Sequence, residues 1–163
     1  MCHDPPVLVF SINNKGPGVE KDTLVNIREN GECVINIISS SFVEAANHTC
    51  GNFDPLTSEM EVSGLDPVAS DLVTPPRVGQ SAIQFECKVA NLHPLHASGE
   101  TESALTQKSV VVFCEIVKVH VKEDVYDSES GTVRLEALDP ISRLGDISYG
   151  RNRDWFCIPR PKI

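Results

Sequence analysis

The stretch from Ser81 to Leu92 alternates almost without a break: Ile83, Phe85, Cys87 and Val89 fall on one side, Gln84, Glu86 and Lys88 on the other. A strand, whose side chains change face at every residue, separates these two sets, so the segment predicts a β-strand with one dry and one wet face. Ser109 to Val121 predicts a longer, more buried strand. Its first half is nearly all apolar, and its second half alternates Val117, Val119 and Val121 with Lys118 and His120. The change of pattern near Ile116 fits a bulge. Val7–Ile12, behind a Pro-Pro pair, and Cys33–Ile38 are shorter β-rich runs, and Val133–Leu138 reads as one more. Spaced strands with little helix predict a mainly β fold, a barrel or a sandwich. With 163 residues, the chain is expected to form one domain, 1–163, with room for a proper core.

The helices are expected to be short. Asp22 can cap a helix from Thr23 to Asn30 that stops at Gly31. Ser41 to Glu44 has capping-box spacing and leads into Glu44-Ala-Ala-Asn47. Between Cys50 and Ser81 the chain reads as loop, and a loop of that length inside a domain is often functional. Glu123–Asp127 reads as a solvated hairpin turn completed by Ser128–Gly131. The tail from Ser142 looks irregular, with Tyr149, Trp155 and Phe156 as expected anchors.

A formal net charge of −9 argues against a nucleic-acid binder and against a protein held on an anionic membrane. Runs such as Val110–Phe113 are too short to span a bilayer, and no secretory leader opens the chain, so a cytoplasmic location is expected. Of six cysteines, Cys33, Cys87 and Cys114 sit inside strand-like runs, and all six are expected to be reduced. Zinc spacings are absent, so no metal is expected. His120 is expected at the surface. No nucleophile–base pair stands out, and no cysteine has a partner close in sequence that would lower its pKa.

One segment carries candidate chemistry. A buried strand ends near Ser11, the flexible Asn13–Gly18 follows, and Lys21-Asp-Thr23 opens a helix. A helix N-terminus offers unpaired N–H groups and partial positive charge, which suits a phosphate. Lys15 and Lys21 add cations, and Ser11 and Thr23 add hydroxyls. An ordinary solvated loop ahead of a capped helix explains the same residues.

Several motifs taken in order resemble one known family. They are Asp4-Pro-Pro-Val-Leu-Val-Phe-Ser11, Lys21-Asp-Thr-Leu-Val-Asn-Ile27, Gly31-Glu-Cys-Val-Ile-Asn36, Glu44-Ala-Ala-Asn47 and Gly64-Leu-Asp-Pro67. Pro75-Pro-Arg-Val78, Phe85-Glu-Cys87, Phe113-Cys-Glu-Ile-Val117, Arg143-Leu-Gly145 with Tyr149, Trp155-Phe156 and Pro159-Arg-Pro161 continue the series. Their order and spacing resemble the flavin reductase-like, FMN-binding split-barrel family over nearly the whole chain. The resemblance implies a six-stranded split β-barrel with a few short helices, forming a homodimer with FMN near the subunit boundary. It also implies reduction of flavin by NADH or NADPH. It puts Ser11, Lys21, Asp22 and Thr23 on the phosphate side and Asn47 near the ring and ribityl chain. The flavin itself accepts the hydride, so no catalytic acid or base is assigned.

Relatives carry a segment ahead of the Asp-Pro-Pro motif that supplies early strands and a loop on the flavin ring. This chain starts at Met1-Cys-His-Asp4. The resemblance therefore implies a barrel incomplete at its N-terminus, with an unpaired edge at Val7–Ile12, poor stability and weak FMN binding. Cys114 stands where relatives often have Gly. A non-catalytic FMN-binding module is the alternative function, and a plain β-barrel interaction domain is a third.

Overall fold

In the computed structural model, which describes residues 2–161, the chain begins β1 (Cys2–His3), β2 (Pro6–Asn13), α1 (Asp22–Asn30) and β3 (Glu32–Asn36). A 3₁₀ turn (Ser40–Phe42) leads into α2 (Val43–His48) and α3 (Glu59–Val62). Two-residue strands β4 (Pro67–Val68) and β5 (Arg77–Val78) precede the long pair β6 (Ile83–His96) and β7 (Gln107–Val121). After a second 3₁₀ turn (Glu123–Val125) come β8 (Tyr126–Asp127), β9 (Thr132–Val133), α4 (Leu135–Leu138), β10 (Ile141–Gly145) and β11 (Ser148–Arg151).

The main sheet is antiparallel and ordered β1-β2-β7-β6-β3. Its spine is the β6–β7 ladder, which runs from Ile83↔Val121 to His96↔Gln107. Glu86 opposes Lys118 while Cys87 opposes Ile116, so Val117 is an extra residue next to the expected bulge position. Bulges of this kind bend and twist a strand, and here they help curl the sheet into a mainly β split barrel. β2 pairs with β7 along its length, but on its other side only Cys2 and His3 are paired to it. Among the described residues Leu8–Asn13 is thus an edge, with Val9 53% exposed.

The core holds Ile12, Val110, Val112, Cys87 and Cys114, and α1 closes it with Leu24 and Ile27. These two lie three apart, on one face of the helix, and are almost wholly buried. The helix stops at Gly31, whose φ of 68° is the left-handed conformation glycine adopts without strain, and whose N–H donates to Ile27 O at 2.9 Å. Smaller clusters form around Phe42, Leu65 and Val78, and around Ile83, Val125 and Leu138. No helix of the described residues is long and apolar enough to cross a membrane.

Several local expectations give way. Val133–Leu138 is not one strand: only Thr132–Val133 is extended, and Leu135–Leu138 is helical because that turn sends Leu138 into the third cluster. Ser41 makes no capping bond; it sits inside the 3₁₀ turn, and Phe42 at the head of α2 is buried instead. The loop between Cys50 and Ser81 contains α3, β4 and β5. The tail forms the β10–β11 hairpin, but Trp155 and Phe156 are 63% and 81% exposed and anchor no core. Leu24→Ala is expected to lower the unfolding free energy by about 2–5 kcal/mol. Denaturant titration measures this, with the slope unchanged if the native fold survives.

Candidate functional site

The N-terminus of α1 opens onto a cleft of about 280 Å³ whose walls include Lys15, Lys21, Asp22, Thr23, Thr49 and Gly51. The helix begins one residue earlier than expected, at Asp22, and its cap is Lys21 in extended conformation. The Lys21 carbonyl accepts from the Leu24 and Val25 N–H groups at 2.8 and 3.1 Å. No side chain caps the helix. Asp22 is the first helical residue and not the cap, and its carboxylate pairs with Lys15 Nζ at 2.9 Å. Among the described residues the Asp22 and Thr23 N–H groups meet no protein acceptor, which leaves the positive end of the helix open.

Lys21 makes no ion pair among the described residues, whereas Glu59 also borders the cleft. The charged side chains there balance, so the field of the helix end decides the sign of the site. The Thr49 hydroxyl donates to Ala46 O at 2.8 Å, which leaves Thr23 as the hydroxyl free to donate. The loop leading into α1 is pinned by Glu20, which accepts from Arg28 Nη2 at 3.0 Å and from Gln107 Nε2 at 3.1 Å. Burial opposes ionisation of Glu20, but these two partners outweigh it and hold its pKa below the ordinary value.

The five residues expected at the cofactor divide in two. Lys21, Asp22 and Thr23 share the cleft. Ser11 lies mid-strand opposite Val111, exposed, and does not line it. Asn47 on α2 is two residues before Thr49, and its Oδ1 accepts from the Tyr149 hydroxyl at 2.7 Å. Arg143 donates to that same hydroxyl and stacks over the ring at 4.7 Å, so the β10–β11 hairpin is tied to α2. Two apolar surfaces adjoin the cleft. A groove of about 430 Å³ between β2 and β3 shares Thr23 and is floored by Leu8, Phe10 and Ile27. A second, of about 290 Å³, shares Thr49 and is lined by Phe42, Met60 and Val78.

Sequence reasoning missed a buried polar latch. Gln84 and Glu86, expected on a wet face, are 4% and 0% exposed because the 66–80 loop folds over them. Glu86 accepts from the Asp71 and Leu72 N–H groups at 2.9 and 2.6 Å and contacts His120 Nε2 at 2.5 Å. His120, expected at the surface, is therefore half-buried. Gln84 takes Arg77 Nη1 at 2.8 Å and donates to Val78 O at 2.7 Å. Asp71, Glu86 and His120 also present ligand atoms within 4.8 Å of one another. Lys118 already holds Asp71, and the loop amides hold Glu86, so the cluster is accounted for as a fastener of the loop. The alternating pattern alone could not show that a distant loop would cover the polar face.

Comparison with known proteins agrees with this architecture. Residues 1–136 match the family described as Flavin reductase like domain, and the chain belongs to that family. An uncharacterised protein of Halalkalibacterium halodurans is 34% identical over 160 residues, covering 98% of this chain and 73% of that protein. The crystal structure of nitrilotriacetate monooxygenase component B from Bacillus cereus superposes with a TM-score of 0.86 at 33% identity, covering 97% of this chain and 74% of that one. The 2-nitrobenzoate 2-nitroreductase of Pseudomonas fluorescens gives 0.78 at 28% identity, over 99% and 72%.

Burial opposes the charge on Glu86, yet the bonds from Asp71 N–H, His120 and Leu72 N–H prevail and lower its pKa from 4.5 to about 2. A carboxylate with a depressed folded pKa stabilises the fold above its unfolded value, and that contribution disappears as pH falls through the folded one. Glu86→Gln is therefore expected to lower the melting temperature near neutral pH. The gap to the parent protein should narrow as pH drops from about 4.5 towards 2, as thermal melts across that range would record.

Proposed function

We propose that this protein binds FMN and passes electrons from NADH or NADPH to flavin. The observation that carries this reading is the uncapped N-terminus of α1, with Lys21 and Thr23 beside it, in a chain that belongs to the flavin reductase like domain family. Four features suit a phosphate monoester there: two unmet N–H groups, an unpaired ammonium, a hydroxyl and the helix dipole. The net charge of −9 sharpens the point, because a dianion needs a local exception to such a field.

The two apolar surfaces that adjoin the cleft suit the flat ring system of a flavin. In the bound state the flavin would supply the acceptor for hydride. The protein's own residues bind the phosphate, fix the helix end through Glu20 and Arg28, and keep water from the apolar walls.

A charge-assisted contact contributes about 1.5–3 kcal/mol, and Lys21 is exposed enough to place it at the lower end. Lys21→Ala is therefore expected to weaken FMN binding about tenfold. Riboflavin, which lacks the phosphate, should bind both forms alike. Fluorescence titration with both ligands measures the difference. Equal loss for both would move the phosphate away from Lys21.

A further inference from the structure

Three cysteines from three strands meet inside the barrel. Cys33 on β3 stands directly opposite Cys87 on β6. Cys114 on β7 is reached across the interior, with its Sγ 3.6 Å from that of Cys33. All three are unpaired thiols. They differ in access: Cys87 and Cys114 are fully buried, whereas Cys33 is half-buried and forms part of the groove between β2 and β3. One thiol faces an opening, and two wait behind it.

We propose that Cys33 is an oxidation site that forms a disulfide with Cys114. The sulfurs must close by about 1.5 Å to reach the ~2.05 Å of a disulfide. Both side chains face the same interior, but β6 lies between β3 and β7, so the bond needs side-chain rotation together with a tighter curl of the sheet across β6. Among the described residues β3 is an edge of the sheet held by β6 alone, so the edge can fold inwards about β6 without breaking a second ladder.

The chemistry needs a two-electron oxidant small enough for the groove, and hydrogen peroxide is that oxidant. The Cys33 thiolate attacks one peroxide oxygen, the O–O bond breaks, and hydroxide leaves and takes up a proton as water. The resulting sulfenic acid condenses with the Cys114 thiol: the S–S bond forms, and the sulfenic oxygen departs as a second water. Two thiols are oxidised and one peroxide is reduced to two waters.

The local electrostatics favour Cys33 as the attacking sulfur. Contact with the Cys114 sulfur first, and then with that of Cys87, outweighs the opposing effect of burial and holds the Cys33 pKa below the ordinary thiol range. The pKa values of Cys87 and Cys114 are pushed up by the same contact with Cys33 and by their burial. One thiolate is thus favoured among three sulfurs, and its neighbours keep the protons that condensation requires. Reduced flavin released to air also yields peroxide, so under the proposed function the oxidant would arise close to the protein; the thiol step itself needs no flavin.

The test uses the whole reduced protein, freed of reductant and exposed to hydrogen peroxide. It is then denatured in an alkylating reagent and digested without reduction. The expected result is loss of two of the six alkylatable thiols, an intact mass lower by about 2 Da before alkylation and a linked peptide pair containing Cys33 and Cys114. Cys114→Ser should leave a sulfenic acid on Cys33 that dimedone traps. The peptide map of the unsubstituted protein stands even if that variant fails to fold. Six surviving thiols would overturn the proposal, as would a bond confined to Cys50 and Cys157 or one joining Cys33 to Cys87.

Discussion

The β6–β7 ladder is the constraint on which the rest of the molecule hangs. It is the longest pairing in the chain, it carries β2 on one side and β3 on the other, and its bulge near Val117 helps turn the sheet. Because β6 and β7 curl, Val110, Val112, Cys87 and Cys114 converge on one interior. That interior gives Leu24 and Ile27 a place to bury, and their burial holds α1 across the end of the barrel. The same ladder presents Glu86 beside His120, and this pair holds the 66–80 loop in place.

The candidate site is a product of what this arrangement leaves unmet. The first N–H groups of α1 point out of its end along the axis, and among the described residues those of Asp22 and Thr23 meet no acceptor. The residue at the cap is Lys21, whose ammonium has no acceptor to offer those groups. An unmet helix end costs little while it faces water, and it gains a strong partner when an anion arrives. The apolar groove and the second apolar cleft meet this polar mouth at Thr23 and Thr49. A ligand with one charged end and one flat apolar end is the shape these surfaces share.

Much of the fold was legible because strand alternation is a local signal. Ser109–Val121 and Val7–Ile12 lie within β7 and β2, and Gly31 stops α1 as its backbone freedom suggests. The misses share one cause, which is contact with distant chain. Glu86 and Gln84 read as solvent-facing until the 66–80 loop covers them. His120 reads as a surface residue until Glu86 is known to lie beside it. Cys33 has no partner nearby in sequence, yet the sheet brings it to Cys87 and Cys114. At the site, Lys21, Asp22 and Thr23 were readable because they are consecutive, whereas the tie from Asn47 to Tyr149 spans 102 residues. Asp22 was misread as the cap because the helix starts one residue earlier than the pattern suggests.

On the proposed function, the open end of α1 receives the phosphate of a flavin. An amide-resolved NMR titration tests it most directly, comparing FMN with riboflavin on the isotopically labelled protein. FMN is expected to shift the Asp22 and Thr23 amides strongly, together with the facing Thr49–Asn52 segment. Riboflavin should leave the Asp22 and Thr23 amides nearly unmoved while perturbing residues of an adjoining apolar surface. If FMN binds and those two amides do not respond, or respond equally to riboflavin, the phosphate lies elsewhere and the helix end is not its site.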